Sequence, residues 1–343
     1  MGICFGILDE DNKEDQKKNP NPIEQQDSQK EKEEEISYQL ENFTFKNVLG
    51  TGAFGKVLLA EHIKTKQYFA IKIIDKKQLE NYNFVESEHQ ILQQTQSPFI
   101  IKLYFTFENN NKLYLGTEFV NGGDLFVHLK KNVQFSEERT RFYAVELILA
   151  LKYLHENRII YRDLKPENIL LDQFGHIKLT DFGLSKFKFS QITYTACGTP
   201  EYVAPEILLE QGYNECVDWY SLGILIYQML CGSIPFYSQQ QQEMINKRLS
   251  QPFEFPKYLS QKAVDLIKRL TENEVHNREF HQGFKGADEI LRHPFFEDID
   301  LEAMSKRQVE PPFRPQLEGK KDLRYLDPDL LQQEIKFEEE LDN

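Results

Sequence analysis

Cysteine, methionine and tryptophan are scarce in this 343-residue chain, at 4, 4 and 1 copies. Cys4, Cys197, Cys216 and Cys231 are spaced neither as a disulfide framework nor as a zinc site, which favours a reducing, intracellular and cytoplasmic setting. Long apolar runs are also lacking. The longest candidate, around Leu222 to Leu230, falls short of the roughly 18 to 20 residues that span a bilayer, and the N-terminus has no basic flank of a secretory signal. The formal charge is −14, so the net basic face that nucleic acid requires is missing, and no nucleic-acid partner is expected. That charge sits at the ends: residues 1–42 hold 12 acids against 5 bases and residues 327–343 hold 7 against 1, leaving the middle almost neutral.

What is present is ordinary globular material, 40% hydrophobic and 28% charged with 26 Phe and 16 Tyr, in a length about twice the common domain size. Residues 9–35 have too little apolar surface to offset the entropy of ordering, and 1–42 read as an acidic disordered leader. From Phe43 the texture changes. Runs at 43–49, 56–63, 67–74, 101–107 and 113–120 predict antiparallel strands, and 80–94 a helix between the third and fourth. Asn121-Gly122-Gly123 reads as a linker. Beyond it, Ser136 is a helix N-cap, and further helical stretches lie near 217–231, 241–249 and 261–270, so the second unit, 121–296, is mainly helical. Residues 297–343 lose periodicity, carry Pro311, Pro312 and Pro315, and read as a tail over the surface.

Gly50-Thr51-Gly52-Ala53-Phe54-Gly55-Lys56-Val57 lies between two predicted strands, where glycines let backbone amides approach phosphate. In dinucleotide-binding folds such a pattern opens a helix, whereas here Val57-Leu58-Leu59 continues a strand; a phosphate cradle and a flexible turn both remain. Lys72 sits inside the apolar run Phe69 to Ile74 and needs a counter-charge, for which Glu88 is the candidate, unless it reaches solvent at a strand edge. Tyr161-Arg162-Asp163-Leu164-Lys165-Pro166-Glu167-Asn168 and Asp181-Phe182-Gly183 then place several oxygens in loops bracketed by apolar runs. Asn168 and Asp181 suit magnesium, which takes few protein carboxylates, and leave Asp163 to accept a proton.

With these motifs in this order, followed by Ala204-Pro205-Glu206, the chain resembles a eukaryotic protein kinase. Tyr161, the run Thr195-Ala196-Cys197-Gly198-Thr199-Pro200-Glu201-Tyr202, and the tail segments 312–315 and 324–328 are similar to the AGC group of serine/threonine kinases, over about residues 43–330. The resemblance implies an α+β bilobal fold: a small antiparallel β-rich lobe (43–120) with one main helix, a larger helical lobe (121–296) and an extended tail. It implies ATP and Mg2+ as cofactors and phosphoryl transfer to Ser/Thr of protein substrates. Leu49 and Gly50 to Val57 would cover the nucleotide, Ala70 and Val57 line the adenine pocket, and Thr117 stand as gatekeeper, with the backbone from Glu118 to Val120 on the adenine edge. Lys72 would bind the α and β phosphates and be held by Glu88. Asp163 and Lys165 would serve the transfer, and Asn168 and Asp181 the metals. Asp124 would meet the ribose or, with Glu167, a substrate Arg three residues before the target hydroxyl, which implies a basic substrate context.

The resemblance also implies activation by an upstream kinase at Thr195, whose phosphate would gather Arg162 and Lys186, and an ion pair between Glu206 and Arg278. Three departures stand out. Gln228 replaces a frequent Glu, which predicts weaker dependence on Arg at minus 2 than at minus 3. Leu326 replaces an aromatic over the adenine pocket. The hydrophobic motif at the tail end is missing, so docking of the tail onto the small lobe is not expected unless Phe337 and Leu341 substitute or a partner supplies the contact. Met1-Gly2-Ile3-Cys4 fits myristoylation at Gly2 and palmitoylation at Cys4, giving peripheral membrane association, although Gly6 breaks the pattern; the alternative is a plain leader. A catalytically silent nucleotide-binding scaffold is disfavoured by the presence of Lys72, Glu88, Asp163, Asn168 and Asp181.

Overall fold

Five short strands rich in β-branched and aromatic residues pair as the alternation predicts. A computed structural model describes residues 37–52, 55–76, 82–109, 111–187, 192–273 and 286–335, without the side chains of Gly52 and 82–87. Gly2, Cys4, Ala53, Phe54, Arg278, Phe337 and Leu341 lie outside the described residues, so the acylation motif, the loop tip and the Glu206–Arg278 pair are not placed. Strands β1 (Phe43–Gly52), β2 (Gly55–His62) and β3 (Tyr68–Asp75) are followed by helix α1 (Tyr82–Gln94), then β4 (Leu103–Glu108) and β5 (Lys112–Glu118). All neighbours are antiparallel, in the order β1-β2-β3-β5-β4.

Period two decides what each face of this sheet does. Phe69, Ile71 and Ile73 of β3 join Leu58, Ala60, Phe105 and Tyr114 in one buried cluster. Ala70 and Lys72, one step out of phase, belong to the opposite face, paired with Leu59 and Val57 of β2 and with Thr117 and Leu115 of β5. Gly55, which opens β2, has φ +134°, and a Cβ there would stand 1.9 Å from the Ile73 carbonyl oxygen. Only glycine fits this close approach of the loop to β3.

The aromatic cluster also takes up residues from beyond the sheet. Tyr38 stacks on Phe105 with ring centroids 4.6 Å apart, so ordered structure begins before Phe43. Leu330 and Ile335 pack against the same cluster, and the Asn47 amide donates to the Leu331 carbonyl at 3.4 Å. The tail therefore does dock onto the small sheet, contrary to the sequence expectation. Leu330 and Ile335, aliphatic side chains earlier in the tail, make this contact, while Phe337 and Leu341 lie outside the described residues.

The larger part continues with α2 (Leu125–Asn132), α3 (Glu137–Glu156), β6 (Ile159–Ile160), β7 (Ile169–Leu171), β8 (Ile177–Leu179), β9 (Lys186–Phe187), α4 (Pro205–Leu208), α5 (Cys216–Cys231), α6 (Gln241–Ser250), α7 (Gln261–Leu270) and α8 (Gly286–Leu291). The Ser136 hydroxyl caps α3 by accepting the Arg139 N–H at 3.2 Å, as its sequence predicts. Leu147, Leu151 and Leu154 of α3 are fully buried with Leu222 and Leu225 of α5 and Leu266 and Leu270 of α7, forming one apolar core. No described helix is long and apolar enough to cross a membrane.

The tail carries α9 (Leu301–Ser305) and α10 (Pro328–Leu331) and crosses the linker on the way between them. Asn121 donates to the carbonyls of Gly319 at 3.0 Å and Asp322 at 3.1 Å. Gly123, at φ +80°, lies so close to Tyr325 that a Cβ would sit 2.8 Å from the tyrosine Cβ. The Arg139 guanidinium is sandwiched between Phe135 and Phe313, 3.9 Å from each ring centre. His128 is buried beneath Phe313 and Tyr325, and burial pushes its pKa down to about 4.

Candidate active site

Because β3 is out of phase with the buried cluster at Lys72, its ammonium meets α1 rather than the aromatic core. Lys72 Nζ lies 2.8 Å from both carboxylate oxygens of Glu88 and 3.3 Å from Asp181 Oδ1, which joins the sheet, the helix and the 181–183 loop. Burial acts to lower the lysine pKa, but Glu88 and Asp181 outweigh it and hold the pKa above its ordinary value, so the ammonium stays charged. Asp181 is also disfavoured by burial as a carboxylate, yet Lys72, the Gly183 N–H and Lys165 together keep its pKa below the usual value. Its backbone, at φ +56°, is in the left-handed region, which a non-glycine residue rarely occupies.

The second group forms on the loop between β6 and β7. Asp163 is 6% exposed, accepts the Thr199 hydroxyl at 2.7 Å on one oxygen, and on the other meets Lys165 Nζ at 2.8 Å and the Asn168 amide at 2.9 Å. Lys165 also donates to Thr199 Oγ1 at 2.9 Å. Asn168 spends its amide nitrogen on the carbonyl and carboxylate of Asp163, so its oxygen is what it can offer a cation. That oxygen and the Asp181 carboxylate form a hard, oxygen-only donor pair, which fits a magnesium ion taking its other ligands from phosphates and water. Among the described residues there is no cluster of three or more His, Cys, Asp or Glu that could hold a metal without such help.

The predicted nucleotide-pocket residues fall on β1, β2, β3, β5 and the linker after them. Thr117 donates to the Ala70 carbonyl at 3.2 Å, fixing its hydroxyl across the strand pair. Glu118 accepts Lys178 Nζ at 2.7 Å through its side chain, and its own N–H is spent on the Lys102 carbonyl. Any contact with a base edge is thereby left to the rest of the 118–120 backbone. Asp124 caps α2, accepting the Val127 N–H at 2.7 Å; burial, with Glu167 adding to it, lifts its pKa to about 6. Near it lies a cleft of about 430 Å³ lined by Phe126, Glu167, Glu201, Tyr202, Gln228 and Tyr237 among others. Gln228 uses its amide oxygen to accept the Tyr202 hydroxyl at 2.7 Å.

With Thr195 unmodified, the two cations expected to gather its phosphate bond elsewhere. Thr195 is exposed, and Lys186 donates instead to the hydroxyl of buried Thr193 at 2.7 Å. Arg162 donates to the Leu184 carbonyl at 2.7 Å and to the Tyr213 hydroxyl at 3.1 Å. Sequence reasoning also missed Asp218, fully buried, which accepts the backbone N–H groups of Tyr161 and Arg162 at 2.9 and 2.8 Å and lies 2.8 Å from His155 Nε2. A lone acid in the apolar run 216–231 was the available signal, since such a carboxylate needs donors.

Comparison with known proteins gives this geometry its context. The family model described as "Protein kinase domain" matches residues 43–296. The chain is 44% identical over 292 residues to "Protein kinase 2" of Dictyostelium discoideum, covering 84% of this chain and 60% of that protein. It is 43% identical to "Protein kinase C eta type" of Mus musculus, covering 86% of this chain and 44% of that protein. With "Serine/threonine-protein kinase Sgk1" of Gallus gallus the identity is 41%, over 86% of this chain and 69% of the relative. The chain thus spans between under half and about two thirds of the length of these curated relatives.

Proposed function

The chain belongs to the protein kinase family, in its AGC serine/threonine group, and from that premise we propose that it transfers the γ-phosphate of ATP to Ser or Thr hydroxyls of protein substrates. The observation that carries this reading is the pair of linked constellations, Lys72–Glu88–Asp181 and Asp163–Lys165–Thr199. The first offers a fixed cation to the phosphates. In the second, Asp163 orients the substrate hydroxyl and accepts its proton, while Lys165 stabilises charge on the phosphoryl group in flight. Bound magnesium, held by Asn168 and Asp181, would neutralise phosphate charge. The Glu88 carboxylate, buried at 3% exposure, keeps Lys72 in place while the nucleotide enters.

The finer parts of the proposal concern specificity and control. Glu167 and Glu201, which line the cleft, and Asp124, which interacts electrostatically with Glu167, support a basic substrate context, with Arg at minus 3 preferred over minus 2 because Gln228 offers no charge. Phosphorylation of exposed Thr195 by an upstream kinase would give Arg162 and Lys186 a common anionic partner in place of Tyr213 and Thr193. Membrane attachment through Gly2 and Cys4 and a cytoplasmic location rest on the sequence alone. The test is magnesium-dependent transfer from ATP to a degenerate Ser/Thr peptide library by the wild type and Asp163→Asn, before and after phosphorylation at Thr195. Transfer that Asp163→Asn reduces at least a hundredfold is expected. ATP binding without transfer in every form would overturn the proposal in favour of a nucleotide-binding scaffold.

A further inference from the structure

Tyr213 lies outside every motif that identifies the family, in the turn between α4 and α5, yet four residues from two other segments, 193–199 and the catalytic loop, meet at its side chain and backbone. Its backbone pairs with Thr193 in both directions, Thr193 N–H to Tyr213 O at 2.8 Å and Tyr213 N–H to Thr193 O at 2.9 Å. Its hydroxyl donates to the Thr195 carbonyl at 2.6 Å and accepts from Arg162 at 3.1 Å, and Cys197 Sγ lies 3.9 Å away. A phenol has one proton and two lone pairs. The proton goes to Thr195, one lone pair takes the guanidinium, and the other faces the thiol. The side chain is 4% exposed, and burial pushes its pKa up to about 12, so the proton stays in place at any working pH.

Arg162 is the residue before Asp163. It has φ +70°, its N–H is held by Asp218, and its side chain also bonds Leu184, just past the Asp-Phe-Gly motif. A chain of bonds therefore runs from Thr195 through the Tyr213 hydroxyl to Arg162, and from there to the loop carrying Asp163. Every bond in it exists with Thr195 unmodified.

We propose that Tyr213 is a positioning residue whose hydroxyl holds the 193–199 segment on the catalytic loop before Thr195 is phosphorylated, and so sets the basal rate. This rests on the kinase reading above and deepens it. When a phosphate is present at Thr195, Arg162 has a stronger anionic partner and the phenol is no longer needed as intermediary. The hydroxyl and the phosphate are then alternative means of restraining one segment, and their effects on rate are not independent.

Tyr213→Phe removes the hydroxyl alone and keeps the ring and the backbone pairing. In a Thr195→Ala background, which retains the Thr195 backbone carbonyl, we expect Tyr213→Phe to lower kcat for a peptide substrate about tenfold with KM for ATP unchanged. In protein stoichiometrically phosphorylated at Thr195 the same substitution should change kcat by less than about twofold. A merely structural role for the tyrosine would lower both forms alike, so equal losses, or no loss in the Thr195→Ala background, would overturn the proposal. Hydrogen exchange of the 193–199 amides supplies a readout that needs no catalysis: exchange should speed up in unphosphorylated Tyr213→Phe and not in its phosphorylated counterpart, and unchanged protection would reject the bridge. Failure of the kinase reading is distinguishable, since it would appear as phosphorylated wild type that transfers no phosphate at all.

Discussion

The surroundings of Lys72 and of Thr195 are held by different chemistry. Around Lys72 the bonds are direct ion pairs between side chains, with Glu88 and Asp181 both on one ammonium. Around Thr195 the two cations meet neutral oxygens, Arg162 the Tyr213 phenol and Lys186 the Thr193 hydroxyl. In both halves the donor is a cation, but only around Lys72 does the acceptor also carry a full charge, and a buried carboxylate left without its cation is strongly destabilising, whereas a hydroxyl is not. The first half is thus assembled by the fold alone. The second is held by partners that an arriving phosphate can replace.

Lys72→Met breaks the firmer half. It should lower kcat about 100- to 1,000-fold and leave Glu88 buried without its cation, seen as a loss of transfer and a lower melting temperature. Thr195→Ala addresses the other half and, relative to fully phosphorylated wild type, should cost about 10- to 100-fold in kcat, the worth of one or two charge-assisted bonds. Equal losses from these two substitutions would erase the contrast. Asp124 sharpens it, because its pKa of about 6 puts a titrating charge where the proposal places the substrate Arg. As pH falls through 6 the neutral form takes over. The kcat/KM for a peptide with Arg at minus 3 should therefore drop about tenfold between pH 7 and pH 5, beyond any change for the matching Ala peptide. Gln228→Glu has the smallest expected effect, an approximately fivefold gain in preference for Arg at minus 2 on a peptide array.

The local physics of this fold was legible and the distant pairings were not. All five strands of the small sheet fall within a few residues of the runs that predicted them, because alternation is a property of neighbours. Ser136 likewise announced α3. Helix α2 is eight residues long and was missed; its cap, Asp124, was read only as a ligand contact. Lys72 with Glu88 was inferred from the cost of a lone charge, a general argument that needs no register. Nothing comparable marks Tyr213, an ordinary aromatic in a turn, or tells which of two threonines Lys186 will meet. The docking of Leu330 and Ile335 was also hidden, since two aliphatic residues carry no periodic signal and their cluster is assembled from strands between Phe43 and Tyr114, far earlier in the chain.

The bond from Asn121 to Gly319 closes a loop of 198 residues. Polymer statistics make such a closure only slightly costlier than one half as long, about 0.6 kcal/mol more, so the strap across the linker is thermodynamically cheap. It is nevertheless late. Synthesis proceeds at roughly 5 to 20 residues per second, so the linker precedes its strap by about 10 to 40 s. From the addition of Asn168 onward the small sheet, the Lys72 pair and the Asp163 loop have all been synthesised, while the strap that bonds Asn121 and covers His128 has not. A nascent chain therefore passes through a stage with its catalytic parts synthesised and its linker unstrapped, and it is the arrival of Gly319 to Tyr325 that ends it.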